Sequence, residues 1–323
     1  MALSPSVASS SAVPGSGVTQ VTHPKGAAVD RVLHRRLSLL LAHLVVALVA
    51  LVAVGGATRV MEAGLACPDW PLCYGVLLPG RQMNLQVFLE WFHRLDAFVV
   101  GVALLTLAAV AHWKRQVLPA WFPVAALLAL LLVAAQGALG ALTVTHLLAA
   151  PVVTAHLGTA LLLVALLSAV QQALAPPAAA APLPLWWRIV ALLALAGIFS
   201  QCLLGGAMAS QWAADRCLAA GEGCRWLALH RSTATPAALL VTAPALTSLL
   251  LPSGHRLVQG LGLSALALVA CQISLGVLTL RLQLEVPLVT VGHQIVAALL
   301  VAVLAAAASV TDHRCTAEGP AHG

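Results

Sequence analysis

Stretches of about 20 predominantly apolar residues, each long enough to cross the hydrocarbon core of a bilayer, recur along almost the whole chain. In lipid every backbone amide and carbonyl must be satisfied within the structure, so segments of this kind are restricted to membrane-spanning helices. Composition agrees. Of the 323 residues 61% are hydrophobic and only 8% are charged, against about 25% charged in a soluble domain. A water-soluble fold is excluded, and the formal net charge of +6 is a topology signal rather than a nucleic-acid signal.

The apolar windows predict eight spans, near 37–56, 90–111, 118–140, 152–172, 188–206, 230–251, 257–278 and 288–310. An even number puts both termini on one side. With the N-terminus inside, the cytoplasmic segments hold Lys25, Arg31, Arg35, Arg36, Lys114, Arg115, Arg188, Arg256 and Arg314, nine of the sixteen basic residues. The acids there are Asp30, Asp312 and Glu318. The outer loops balance Arg59, Arg81, Arg216, Arg225 and Arg281 against Glu62, Asp69, Asp215, Glu222 and Glu285. Lys and Arg concentrate in cytoplasmic loops, so both termini are expected inside.

Residues 1–36 read as a disordered cytoplasmic tail, because 1–30 are rich in Ser, Ala, Val, Gly and Pro without hydrophobic periodicity. No apolar signal-peptide core precedes Arg31. The Pro/Ala segment 173–187 reads as a linker. It separates two halves, 37–172 and 188–310, and 311–323 form a second cytoplasmic tail. The expected class is all-α: a polytopic membrane protein whose eight transmembrane helices form two pseudo-symmetric four-helix bundles.

The halves repeat each other in order, and a duplication changes how every motif is read. Gly55-Gly56-Ala57 ends the first span and Gly205-Gly206-Ala207 the fifth. A loop with two cysteines follows each, then His93-Arg94 and His230-Arg231 at the start of a span. QGALGALTV (136–144) matches QISLGVLTL (272–280), and PVVTAH (151–156) matches PLVTVGH (287–293) with one residue inserted.

Each half thereby carries two histidines inside spans, His93 with His156 and His230 with His293. A lone histidine in an apolar helix is more often a packed residue than a ligand, yet an ionisable group within a span is a functional candidate. Both members of a pair lie near the outer end of their spans, at similar depth for a rise of about 1.5 Å per residue. Two imidazoles at one depth on two helices can face each other across a flat cofactor, as helix bundles commonly arrange. Haem is favoured over zinc, because a structural zinc site takes four N/S ligands and each half offers two histidines. A copper pair and plain structural packing remain the alternatives. Arg94 and Arg231 follow the proposed ligands and suit haem propionates, which Arg matches bidentately; snorkelling to the interface is the other reading. Asp96 reads as a partner for Arg94.

Cys67 with Cys73, and Cys217 with Cys224, bracket short outer-loop segments. An oxidising compartment permits disulfides there, either as staples or as labile, redox-active bonds. The repeat breaks at one point. Glu90 stands three residues before His93, on the same helical face, whereas Leu227 stands at that offset before His230. A carboxylate near the membrane is costly without a role or a partner, which marks Glu90 as a candidate for chemistry.

GGATRVMEAGLACPDWPLCYG (55–75), EWFHR (90–94), LHRSTA (229–234) and VGHQ (291–294) resemble the haem A synthase family, in order and over roughly 37–310. The resemblance implies an enzyme of a bacterial cytoplasmic membrane that oxidises the C8 methyl of haem O to a formyl group by successive hydroxylations. It implies that His93 and His156 hold the haem O iron, that His230 and His293 hold a haem b cofactor, and that Glu90 is the essential carboxylate. It puts the two cysteine pairs where the family has its outer-loop cysteines. Implied partners are membrane lipid, the haem O synthase (a farnesyltransferase), an electron donor, cytochrome oxidase assembly factors and a further copy of the chain. A di-haem electron-transfer protein and a haem carrier are the rival readings; both account for the histidines and neither for Glu90.

Overall fold

A computed structural model describes residues 24–175, 183–210, 225–251 and 255–311, with the backbone alone at 24–31 and 210. Among these residues eight α-helices follow one another: α1 (Pro24–Val60), α2 (Leu85–Trp113), α3 (Phe122–Thr145), α4 (Ala150–Leu174), α5 (Leu185–Ser210), α6 (Arg225–Ser248), α7 (Arg256–Arg281) and α8 (Pro287–Ala308). No β-strand occurs among the described residues.

The helices form where Leu- and Ala-rich runs meet clear start signals. Asn84 caps α2 by accepting from the Val87 amide at 2.9 Å. Proline stands in the first turn of α3, α4 and α8, where its missing N–H costs nothing. This shifts α3 from the expected 118–140 to Phe122–Thr145. The other correction is at the N-terminus: α1 reaches back to Pro24, so the expected tail 1–36 is helical from residue 24 onward. Proline opens that helix, and the Ala- and Leu-containing segment behind it has no proline and, after Gly26, no glycine before Gly55.

Seven of the eight helices are long and apolar enough to cross a membrane. The exception is α6, which carries Arg225, His230, Arg231, Ser232, Thr233 and Thr235 near its start and Pro236 and Pro244 within it. It nevertheless packs against both α5 and α7. The helix neighbours are α1–α2, α2–α3, α3–α4 and α4–α1, then α5–α6, α6–α7, α7–α8 and α8–α5; α8 also meets α1 and α4, and α4 meets α5. The main apolar core runs through these contacts, from Leu41 and Leu48 on α1 through Leu104, Leu161 and Val164 to Val241 on α6 and Leu300 on α8.

Candidate functional site

Each of the four histidines lies against a glycine on the preceding helix. A methyl group on Gly55, Gly205 or Gly276 would stand 3.0 Å from Cε1 of His93, His230 or His293 respectively, and one on Gly140 would stand 3.7 Å from Cε1 of His156. Gly55, Gly205 and Gly276 permit a flat imidazole to approach a helix backbone that a side chain would hold off, whereas a methyl on Gly140 would make only an ordinary contact. The repeated glycines of the sequence therefore seat the histidines.

A second set of residues was not singled out by the sequence reading. Gln136, Gln201 and Gln272 each stand four residues before one of these glycines. Gln136 Nε2 donates to the His156 carbonyl at 2.9 Å and to the Thr159 hydroxyl. Gln201 Nε2 donates to the His230 carbonyl at 2.6 Å and lies 3.1 Å from His230 Nδ1, while Thr233 donates to Gln201 Oε1 at 2.7 Å. His293 Nδ1 is 3.1 Å from the Gln272 carbonyl, and the Gln272 amide nitrogen is 3.3 Å from His293 Nε2. The readable signal is Gln-x-x-x-Gly, present in three helices; α1 has Leu51 in the glutamine position.

Glu90 is buried, with 5% exposure, and both of its oxygens are engaged. Oε2 accepts from the Cys67 amide at 2.8 Å and Oε1 from Arg94 Nη2 at 2.5 Å. Arg94 is not a partner of Asp96. Its Nη1 donates to the Asp69 and Leu72 carbonyls at 2.6 and 2.5 Å. Cys67 and Cys73 form a disulfide and are buried beside Val87, Met83 and Trp91. Asp69 closes the turn behind it, accepting from the Tyr74 and Gly75 amides. Glu90 and Arg94 thus hold the 67–75 loop onto the start of α2. Cys217 and Cys224 lie outside the described residues.

All four histidines, Glu90, Arg94 and Arg231 line one cavity of about 2390 Å³. An ordinary small-molecule pocket holds roughly 300–1,000 Å³, so this one has room for more than one large planar group. The His93 and His156 rings are 6.5 Å apart between centroids. Two imidazoles bound to one metal at about 2 Å each have centroids about 6 Å apart. Among the described residues no three His, Cys, Asp or Glu side chains converge to hold a metal; an iron between these two imidazoles would take its remaining donors from a macrocycle, as in haem. The residues fit haem. His43 instead bonds locally, to the Leu39 carbonyl at 2.7 Å, as a packed histidine does.

The fold and these residues define a helical membrane protein with paired imidazoles around a large internal cavity. The chain belongs to the cytochrome oxidase assembly protein family COX15-CtaA, whose model matches residues 36–305. Among curated proteins, the haem A synthase of Sphingopyxis alaskensis is 31% identical over 324 residues, covering 80% of this chain and 87% of that protein. That of Shewanella oneidensis is 32% identical over 186 residues, 52% of this chain and 55% of that protein. That of Geobacillus kaustophilus is 41% identical over 101 residues, 29% of this chain and 28% of that protein.

Proposed function

We propose that the chain is a haem A synthase, an oxidoreductase that converts the C8 methyl of haem O to a formyl group. The observation that carries this reading is the spacing of His93 and His156 in a cavity shared with Glu90, within a chain of this family. Two successive hydroxylations at one carbon give a geminal diol that loses water to the aldehyde; each is a two-electron oxidation that takes its oxygen from dioxygen, with two further electrons and two protons from a donor reducing the second oxygen atom to water, or from water, with two electrons passing to an acceptor.

In this reading His93 and His156 hold haem O, and His230 and His293 hold haem b. A haem b held by His230 and His293 would supply a one-electron redox centre. The protein's own residues orient and shield. Gly55, Gly205 and Gly276 let His93, His230 and His293 stand against helix backbone. Arg94, committed to the loop and to Glu90, keeps the disulfide-bonded segment over the first site. Arg231, exposed on the cavity wall, is placed to take a propionate. Glu90 is held at the cavity wall where it can accept a proton or orient a water beside the substrate; Leu227 at the matching place gives the second site no such group.

The closed sequences of neighbours α1–α2–α3–α4 and α5–α6–α7–α8 support two pseudo-symmetric four-helix bundles with α6 as the eighth span; the family supports a bacterial cytoplasmic membrane, and the bias of Lys and Arg supports cytoplasmic termini. The cross-contacts exchange under the same pairing, α1–α8 with α5–α4. A second cysteine pair, Cys217–Cys224, and delivery of substrate by a farnesyltransferase complete the proposal.

The test is expression of the full chain in a host that makes haem O. Wild type is expected to yield haem A, and Glu90→Ala to leave haem O unconverted while the second-site haem remains. Conversion by Glu90→Ala at the wild-type rate would remove the distinction between the two sites.

A further inference from the structure

The cavity wall differs between the two halves. Counted from His93 and His230, Ala97, Val100 and Gly101 on α2 answer Ala234, Ala237 and Ala238 on α6, and all six line the cavity. Beyond this shared frame Phe98, Val102 and Leu105 also line it, whereas their counterparts Thr235, Leu239 and Thr242 are no part of the wall. On α3, counted from Gln136 and Gln272, Leu130 and Ala134 line it and the counterparts Leu266 and Ala270 do not. The first site therefore has an apolar lobe between α2 and α3 that the second lacks. Leu105, at its foot, stands about 18 Å along α2 from His93 at a rise of about 1.5 Å per residue. Phe98 and Leu105 are 69% and 56% exposed, so the lobe is open at its side. On a helix long and apolar enough to cross a membrane, that side meets acyl chains rather than water.

Two glycines keep the lobe open beside the histidines. Gly101 and Gly137 both line the cavity, and a methyl on either would meet no atom within 4 Å. The second half has Ala238 and Ile273 in these places, so a branched side chain stands where the first half has open space. We infer that the lobe between α2 and α3 is the subsite for the farnesyl chain of haem O. This rests on the proposed function, in which His93 and His156 hold haem O. Haem O and haem b share the macrocycle and differ at one substituent, where haem O carries a hydroxyethylfarnesyl chain and haem b a vinyl group. The frame common to both halves suits the macrocycle. Only the first site needs room for a chain, and only the first has it. In a bilayer the chain gains little by leaving acyl chains of the same polarity, so the lobe selects by space rather than by attraction. Its lateral opening lets the chain enter from the membrane without passing the outer loops.

The purified full chain, with haem b in the second site, is titrated with haem O and separately with further haem b. Binding at the first site is read from the Soret change that His93→Ala abolishes. Gly101→Ala combined with Gly137→Ile rebuilds the wall of the second half in the first. It is expected to weaken haem O about tenfold or more, the order of effect of an overfilled apolar site, and to leave haem b at that site as in wild type. Leu105→Trp, at the exposed foot of the lobe, is expected to shift haem O in the same direction and again to spare haem b.

If the double variant does not fold, Leu105→Trp decides alone. Wild-type affinity for haem O in the folded variants would overturn the inference and leave the lobe to membrane lipid. Equal weakening of haem O and haem b would overturn it too, as a distortion of the whole site. A wild-type chain whose Soret change on adding haem O does not depend on His93 would instead overturn the proposed function beneath it.

Discussion

Replacing Gly276 by alanine tests whether the glycines seat the histidines. The added methyl would stand 3.0 Å from His293 Cε1 and 3.5 Å from Nδ1. Ordinary carbon contacts begin near 3.5 Å, so the ring must retreat by about half an ångström. Its Nδ1 is 3.1 Å from the Gln272 carbonyl, and the same retreat carries that bond to the edge of hydrogen-bond range. Overpacking of this kind costs about 1–3 kcal/mol, and alanine returns about 1 kcal/mol of helix propensity over glycine. The net loss of about 0–2 kcal/mol falls on haem retention, up to roughly thirtyfold at 1.4 kcal/mol per tenfold. Gly140→Ala is the internal control. Its methyl would stand 3.7 Å from His156 Cε1, an ordinary contact, so only the helix term of about 1 kcal/mol remains and stability should rise. The assay is haem content after purification in detergent, together with the thermal midpoint of each variant. Equal haem loss in both variants, or none in Gly276→Ala with an unshifted spectrum, would refute the seating argument.

Other contacts yield further predictions. Cys67→Ser with Cys73→Ser opens a loop of sequence separation 6 and should cost about 2 kcal/mol, read as a lower unfolding midpoint that matches reduced wild type. Glu90→Leu leaves the Cys67 amide without its acceptor and Arg94 without its carboxylate partner and should cost about 1–3 kcal/mol, whereas Glu90→Gln keeps an acceptor and should cost less; equal midpoints for the two would show that the carboxylate is not the loop's anchor. Gly206→Ala pushes a methyl to 2.7 Å from Leu157 Cδ2 between α5 and α4, so it should destabilise the chain, and Leu157→Ala in the same molecule should recover part of the loss. Strict additivity in that double variant would show that the two residues are not coupled.

Much of the fold was legible in the sequence because lipid restricts the choices. Apolar runs announced the helices, and the duplication paired the histidines. The boundaries failed where local signals outrank hydropathy: Pro123 sets the start of α3, and α1 extends through a segment whose composition resembles a tail. The polar start and two prolines of α6 make it a weak span by composition, although the repeat requires it. Glu90 was visible as an asymmetry, yet its two partners, Cys67 at a separation of 23 and Arg94, depend on how the outer loop folds back. Arg94 could not be separated from Arg231 in the sequence, because each simply follows a histidine. The glutamines went unnoticed because their spacing to glycine, one helical turn, has meaning only once the facing helix brings an imidazole to it.

The central claim is that four histidines hold two haems and that one of these is the molecule being changed. Extraction and chromatography of the haems from the purified full chain test it most directly. Haem b is expected together with haem O, its hydroxylated form or haem A, with His230→Ala and His293→Ala depleting the first and His93→Ala and His156→Ala depleting the others. A single unmodified haem species, lost equally in all four variants, would contradict it.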